Sequence, residues 1–291
     1  MKKEQKKVEE NIGMTKSIVS KIGDEMKIAL CISGQMRTFR ECYKNLNKNI
    51  INKLKPDIFI HTWKYSGITT KASKDEKGEE ITYDLLNELY TPKKAVIEEF
   101  KKEYSQEING IKIPKILIEK REKFYKGQLP MFYKMYECNK LKFKYEKENN
   151  FKYDAVIRLR PDLKICGKLP KKIFKQLDVI WTEGIADKRY RRSDRFAISN
   201  SSNIDYYVSV WEHLNEYWEK PLGDGKVTNY RMGGQLMKHH AKQSNIEWRL
   251  FYIPCYTIRK EMLEKHLFNH IYYFKRYSEM IARNMLEKYV R

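Results

Sequence analysis

The chain has 291 residues, with 59 Lys+Arg against 38 Asp+Glu, a formal charge of +21 at pH 7. With 41% hydrophobic and 13% aromatic residues it holds enough apolar material for a packed core, which excludes wholesale disorder. No run approaches the ~18 consecutive apolar residues of a membrane-crossing helix, and the charge admits nucleic acid, an anionic membrane surface or a phosphate-rich substrate as partner. Met1 to Glu10 is rich in Lys and Glu with no apolar stretch behind it, which predicts no secretory signal. Cys31, Cys42, Cys138, Cys166 and Cys255 form no C-x-x-C pair and read as reduced thiols of a cytoplasmic protein.

Residues 1–25 read as a polar lead with too few apolar positions for a core face. Ile28-Ala-Leu-Cys-Ile32 is a continuous apolar run, the pattern of a strand buried on both faces. Thr38-Phe-Arg-Glu41 matches a capping box, and Phe39, Cys42, Tyr43, Leu46, Ile50 and Leu54 follow at helical spacing up to Pro56. Asp57 to Trp63 is a second strand, so strand, helix and strand form a βαβ unit and imply a parallel sheet. Residues 64–81 read as a loop, Tyr83–Tyr90 as a short helix, and Ala95–Glu99 as a brief strand. The stretch 101–127 has no clear period; Pro130 to about Glu148 is a helix. Further strands are expected at Tyr153–Leu159, Val179–Thr182, Arg195–Ser199 and Trp248–Ile253. Helices are expected from a Ser201 or Ser202 cap to Trp218, over Met232–Lys242, and through 257–291. The organisation is a lead (1–25), one α/β domain (26–255) and a basic, aromatic C-terminal helix (256–291).

Three segments carry candidate chemistry. Ser33-Gly-Gln-Met-Arg37 lies between a strand and a helix, at the carboxyl edge where α/β sheets bind ligands. Free N–H groups at the helix start favour phosphate, Gly34 permits close approach, and Arg37 adds a charged fork; an ordinary turn with a solvated Arg stays open beside that reading. In Arg158-Leu-Arg-Pro-Asp162, period two puts Arg158 and Arg160 on one strand face. Buried charges there need a partner, either a diphosphate or Asp162 itself. In Tyr190-Arg-Arg-Ser-Asp-Arg195, Asp194 is either a general base for an attacking hydroxyl or a mere partner of Arg192 or Arg195. His61 is a further candidate ligand contact at the end of the second strand. His266 and His270 have the spacing of a metal pair but bring no third ligand. Neither a P-loop nor a G-x-G-x-x-G fingerprint is present.

Together, Ile28–Thr38, Asp57–Trp63, Met131-Phe-Tyr-Lys134 with Asn139, Tyr153–Asp162 and Ser193–Ser199 resemble GT-A-type glycosyltransferases of bacterial and giant-virus surface-polysaccharide clusters. The resemblance spans residues 26–250 and implies a single Rossmann-like domain with a mostly parallel central sheet. It implies a nucleotide-sugar donor held by Ser33, Gly34, Gln35, Arg37, His61, Arg158, Arg160, Asp162 and Arg195, with Asp194 as base and Arg160 stabilising the leaving diphosphate. Arg160-Pro161-Asp162 stands where such enzymes carry D-x-D, so either Asp162 holds Mn²⁺ or Mg²⁺, or Arg158 and Arg160 neutralise the diphosphate themselves. Such enzymes also place an acid in the helix near Met232-Gly-Gly-Gln-Leu236, where this chain has Gly234 and Gln235. The implied acceptor is a surface glycan (capsule or lipopolysaccharide) or its lipid-linked precursor, reached at the inner face of the membrane with 257–291 as a peripheral contact. No specific nucleic acid is expected. A basic nucleic-acid module, or a non-sugar transferase with a nucleotide-linked donor, is the alternative.

Overall fold

An apolar heptad with no charge extends readily where neighbours cover both faces, and β1 (Ile28–Gly34) does so at the middle of a seven-stranded sheet. The computed structural model describes residues 26–67, 78–119, 127–184, 192–219, 233–253 and 255–258. After β1 comes α1 (Phe39–Leu46), which continues as a π-helical segment (Asn47–Ile51) and a last α turn (Asn52–Leu54). Thr38 does not form the expected capping box. Its hydroxyl donates instead to the Ile258 carbonyl (2.9 Å), so a long-range contact replaces the local cap. Lys55 closes the helix in the left-handed conformation, and β2 (Asp57–Trp63) follows, as expected.

The helix α2 (Tyr83–Tyr90) is capped by the Thr82 hydroxyl, which accepts from Leu85 N–H at 3.2 Å. The edge strand β3 (Lys94–Glu98) comes next, and the unassigned stretch contains a small hairpin of β4 (Glu107–Ile108) and β5 (Ile111–Lys112). A long helix, α3 (Gln128–Glu148), leads to β6 (Ala155–Leu159). The rest comprises β7 (Leu163–Ile165), β8 (Ile180–Glu183), β9 (Phe196–Ser199), α4 (Ser201–Val208), α5 (Leu214–Glu219), α6 (Gly233–Lys242), β10 (Trp248–Phe251) and β11 (Cys255–Thr257). The cap of α4 is Asn200, whose side chain accepts from Asn203 N–H, rather than Ser201 or Ser202. A 3-10 turn at Ser209–Trp211 divides the helix expected to reach Trp218.

The strand order is β10-β8-β9-β6-β1-β2-β3. Only β9 runs against its neighbours, so the sheet is mostly parallel and the fold is α/β, as the sequence implies. The chain starts at the centre with β1, moves outward to β2 and β3, then returns through α3 to β6 on the other side of β1. The topological switch point therefore lies between β1 and β6. One face buries Cys31, Phe59 and Val156 under Phe132, Cys138 and Tyr207 of α3 and α4. The other buries Leu30, Ile60 and Ile157 under Phe39, Leu54 and Leu86. Each such large side chain contributes about 1.5–3 kcal/mol on burial.

Thr257 ends a strand, not the start of a helix: β11 pairs antiparallel with β7, a partnership without a sequence signal. The expected C-terminal helix beyond Ile258, the lead 1–25, residues 68–77 of the loop, His266 and His270 lie outside the described residues. Among the described residues no helix is long and apolar enough to cross a membrane. All five cysteines are free thiols.

Candidate functional site

The carboxyl ends of β1, β2, β6 and β8 lie along one edge of the sheet, and the antiparallel β9 begins there. At the end of β1 the chain turns sharply. Gly34 has φ +114°, a conformation that L side chains rarely adopt, and its carbonyl accepts from the Thr62 hydroxyl at 2.9 Å. Arg37 is also left-handed (φ +48°), and its N–H donates to the Ser66 carbonyl at 2.9 Å. These two turns aim the Arg37 guanidinium across the switch point towards β6.

There it meets Asp162. Arg160 grips the same carboxylate with both edges of its fork, Nε to Oδ1 at 2.9 Å and Nη2 to Oδ2 at 2.7 Å, while Arg37 Nη1 donates to Oδ2 at 3.3 Å. Asp162 is fully buried, whereas Arg160 and Arg37 keep 17% and 30% of their side chains in contact with solvent. Burial disfavours the Arg160 charge, but the adjacent Asp162 carboxylate outweighs it and raises the pKa. Two guanidinium groups on one carboxylate leave a surplus positive charge, partly wetted, at the switch point.

The expectation that Arg158 and Arg160 share a strand face needs correction. β6 stops at Leu159, so Arg160 lies in the turn beyond it, and its N–H donates to the Arg195 carbonyl at 3.1 Å. Arg158 remains within the strand and is almost wholly buried, its Nη1 donating to the Asp194 carbonyl. Burial pulls its pKa below the ordinary value, against the opposing influence of Tyr207 and Asp194.

The Ser193–Arg195 segment is pinned by a residue the sequence reading passed over. Glu183, at the end of β8, accepts from Arg195 Nη2 and from the Ser193 hydroxyl (3.3 Å). Arg195 Nη1 also donates to the Thr257 hydroxyl at 3.0 Å, and the Tyr207 phenol donates to the Ser193 carbonyl at 2.8 Å. Arg195 thus pairs with Glu183, and the Asp194 carboxylate turns to the start of α6. A Cβ on Gly233 would lie 2.9 Å from Asp194 Oδ2 and 3.5 Å from Gln128 Oε1. Gly233 N–H donates to that Gln128 oxygen at 2.7 Å. The positive end of the α6 dipole favours a carboxylate at this place. Gln128 and Gly233 were likewise missed. Glu183 carried a readable signal, since it is a charge that closes an apolar strand.

His61 lies two residues before the end of β2, not at it, and is 3% exposed. Burial pushes its pKa down to about 2, helped by the Lys134 and Lys140 charges, so the ring is neutral. Its neighbours are Tyr133, edge-on at 6.1 Å, and a buried lysine. Lys134 donates to Glu98 at 2.5 Å and sits 3.5 Å from the centre of the Trp63 ring. Burial lowers its pKa to about 8 despite Glu98. The structure thus brings Ser33, Gly34, Gln35, Arg37, Arg158, Arg160, Asp162, Asp194 and Arg195 to one edge, with His61 lying beneath it.

Several polar atoms at this edge are buried without a hydrogen-bond partner: Ser33 Oγ, Gln35 Nε2, His61 Nδ1, Arg158 Nε and Nη2, Thr182 Oγ1 and Arg195 Nε. Such atoms are rare in folded proteins, and their concentration at one edge leaves donors and acceptors there for bound water or a polar ligand. A divalent cation does not fit at Asp162. Both carboxylate oxygens already accept from guanidinium groups, and a metal there would sit against two positive charges. Among the described residues no three His, Cys, Asp or Glu side chains are grouped to hold a metal.

Lys188, Arg189, Tyr190, Arg191 and Met232 lie outside the described residues; Arg192 Nη2 donates to the Trp248 carbonyl at 3.1 Å. A separate open depression of about 600 Å³ lies at the opposite, amino edge, beside Lys152, Asp154 and Asn200. It holds none of these groups, and α/β sheets bind ligands at the other edge. Comparison with known protein-family models finds no match, and comparison with curated proteins finds none either, so the functional reading rests on the chemistry of this edge.

Proposed function

We propose that the chain is a glycosyltransferase that moves a sugar from a nucleoside-diphosphate donor to a surface-glycan acceptor. The observation that carries this reading is the surplus positive charge of Arg37 and Arg160, one from the turn after each strand flanking the switch point, over the Asp162 carboxylate. Ser33, Gly34 and Gln35 line the nucleotide end. Arg37 and Arg160 face the diphosphate and stabilise the charge that develops as it leaves, in the place of a metal. Asp194, set against the start of α6, accepts the proton of the attacking acceptor hydroxyl. The new glycosidic bond forms from that hydroxyl oxygen as the bond to the diphosphate breaks. Lipid-linked acceptors and a peripheral membrane contact through 257–291 belong to the same proposal.

The test is thermal unfolding of the full chain with UDP, GDP, CMP, dTDP and their common sugars, each in Mn²⁺ and in EDTA. One nucleotide family is expected to stabilise the fold by about 2.7 kcal/mol at a hundredfold excess over Kd, equally in EDTA. Arg160→Ala is expected to abolish turnover while leaving the fold intact. An active variant, or no shift with any nucleotide beside a salt-steep affinity for oligonucleotides, overturns the proposal.

A further inference from the structure

Among the described residues, Arg158 is a fully buried charge that the proposed function leaves without a role. It is 1% exposed, and of its three guanidinium nitrogens only Nη1 has a partner, the Asp194 carbonyl. Nε and Nη2 have none. These two atoms form one straight edge with parallel N–H bonds, the geometry that matches a two-oxygen anion. The same edge is filled elsewhere in this chain. Arg160 sets it on Asp162 at 2.9 and 2.7 Å, Arg40 on Glu79 at 2.9 and 2.5 Å, and Arg249 on Glu247 at 2.6 and 2.8 Å.

Two neighbours do not supply the missing partner. Tyr207 stands beside the guanidinium, with its proton on the Ser193 carbonyl and its oxygen turned to Arg158, but a neutral phenol brings no anion to that edge. The Asp194 carboxylate turns to Gly233. A cation wholly removed from water without a bonded anion costs several kcal/mol, so the fold bears that cost in the ligand-free state.

The surroundings narrow the class of ligand. Arg158 pairs in register with Cys31 of β1 and Ala197 of β9, two small side chains, and Ala197 pairs in turn with Thr182 of β8. Period two places Ser33 and Thr182 on this same face, and their hydroxyls have no partners. The site thus offers one bidentate cation and two uncommitted hydroxyls beside the arginines proposed for the diphosphate. A diphosphate already engages Arg37 and Arg160; a single fork deeper on the face matches a monoanion on a hydroxyl-rich group.

We propose that Arg158 receives the carboxylate of the donor's sugar, so that the chain uses a nucleoside-diphosphate sugar acid of the hexuronate type. This rests on the donor reading above and adds the sugar's class to it. The carboxylate fills the Nε/Nη2 edge, and Ser33 and Thr182 meet neighbouring sugar hydroxyls.

The experiment is isothermal titration of the full chain with UDP, GDP, UDP-glucose, UDP-glucuronate, UDP-galacturonate, GDP-mannose and GDP-mannuronate, with free glucuronate and glucose as sugar-only probes. At least one acidic donor is expected to bind tenfold or more tightly than its neutral counterpart. Arg158→Lys, which keeps the charge but loses the fork, is expected to erase that difference while changing affinity for the free nucleotide less than twofold. Equal wild-type affinity for acidic and neutral donors overturns the proposal, and this comparison needs no variant. A variant that weakens free UDP or GDP as much as the acidic donor makes phosphate the ligand of Arg158, which also overturns it. Binding of free glucuronate over glucose with no nucleotide binding supports the carboxylate site and overturns the donor reading; no binding by any probe overturns both.

Discussion

Replacing Asp162 with Asn keeps the shape of the side chain but removes the negative charge on which two guanidinium groups converge. Asp162 is fully buried and accepts two hydrogen bonds from Arg160 and one from Arg37, all among the described residues. Removing one member of a buried ion pair costs about 3–5 kcal/mol, because the surviving charge stays desolvated and unpaired. Arg160 and Arg37 retain 17% and 30% exposure, so water recovers part of that cost and the lower end applies. The expected loss is about 3 kcal/mol. With an unfolding entropy of about 0.6 kcal/mol/K for a chain of this size, the melting temperature falls by about 5 °C. Urea unfolding followed by circular dichroism reads the free energy directly. Arg160→Met alone and in the Asp162→Asn background completes a cycle, and a coupling of about 1 kcal/mol or more is expected. A loss below about 1 kcal/mol for Asp162→Asn, or additive behaviour of the pair, would refute the electrostatic account of this turn.

Two further outcomes follow from the same structure. His61 and His240 are buried and neutral, with pKa values pushed down to about 2 and about 4, in both cases chiefly by burial. Nδ1 of His240 accepts from the Tyr217 phenol at 2.8 Å and Nε2 donates to the Tyr206 carbonyl at 2.8 Å, so protonating the ring would take from the Tyr217 hydroxyl its acceptor. The unfolded chain protonates both near pH 6.5 and the folded chain does not, so stability falls as pH falls from 6.5 towards 4. The slope is about 1.4 kcal/mol per pH unit for each ring. Urea titrations at pH 7, 6 and 5 test this, and His61→Gln is expected to halve the slope; an unchanged slope contradicts the assignment. Gly233→Ala puts a Cβ at φ +23° against the Asp194 carboxylate, 2.9 Å away. It should lose about 1–2 kcal/mol of stability and lower turnover further by displacing Asp194, whereas unchanged turnover in a folded variant would remove Asp194 from the proposed chemistry.

Much of the architecture was legible because it is local. The apolar run 28–32, the helical spacing of Phe39 to Leu54 and the apolar core of Asp57–Trp63 each carry their own local signature. The errors lie where a distant group wins. Thr38 caps nothing because the Ile258 carbonyl takes its hydroxyl, and Thr257 is a strand because Leu163 lies opposite. The antiparallel course of β9 is not encoded in Phe196–Ser199, which reads the same in either direction.

The site divides in the same way. By itself the sequence determined that Arg37, Arg158, Arg160 and Arg195 lie within or close to the ends of apolar runs, where a charge must meet a partner or the chain must leave the core. Only the tertiary structure decided how they pair, because that depends on contacts between residues far apart in the chain. Arg37 reaches Asp162 across 125 positions, Arg195 takes Glu183 rather than Asp194, and Asp194 comes to rest against a glycine of another helix. Composition fixes how many charges must be accommodated; the meeting of strand ends at one edge fixes which are neutralised and which, like Arg158, are left facing a place with no partner of their own.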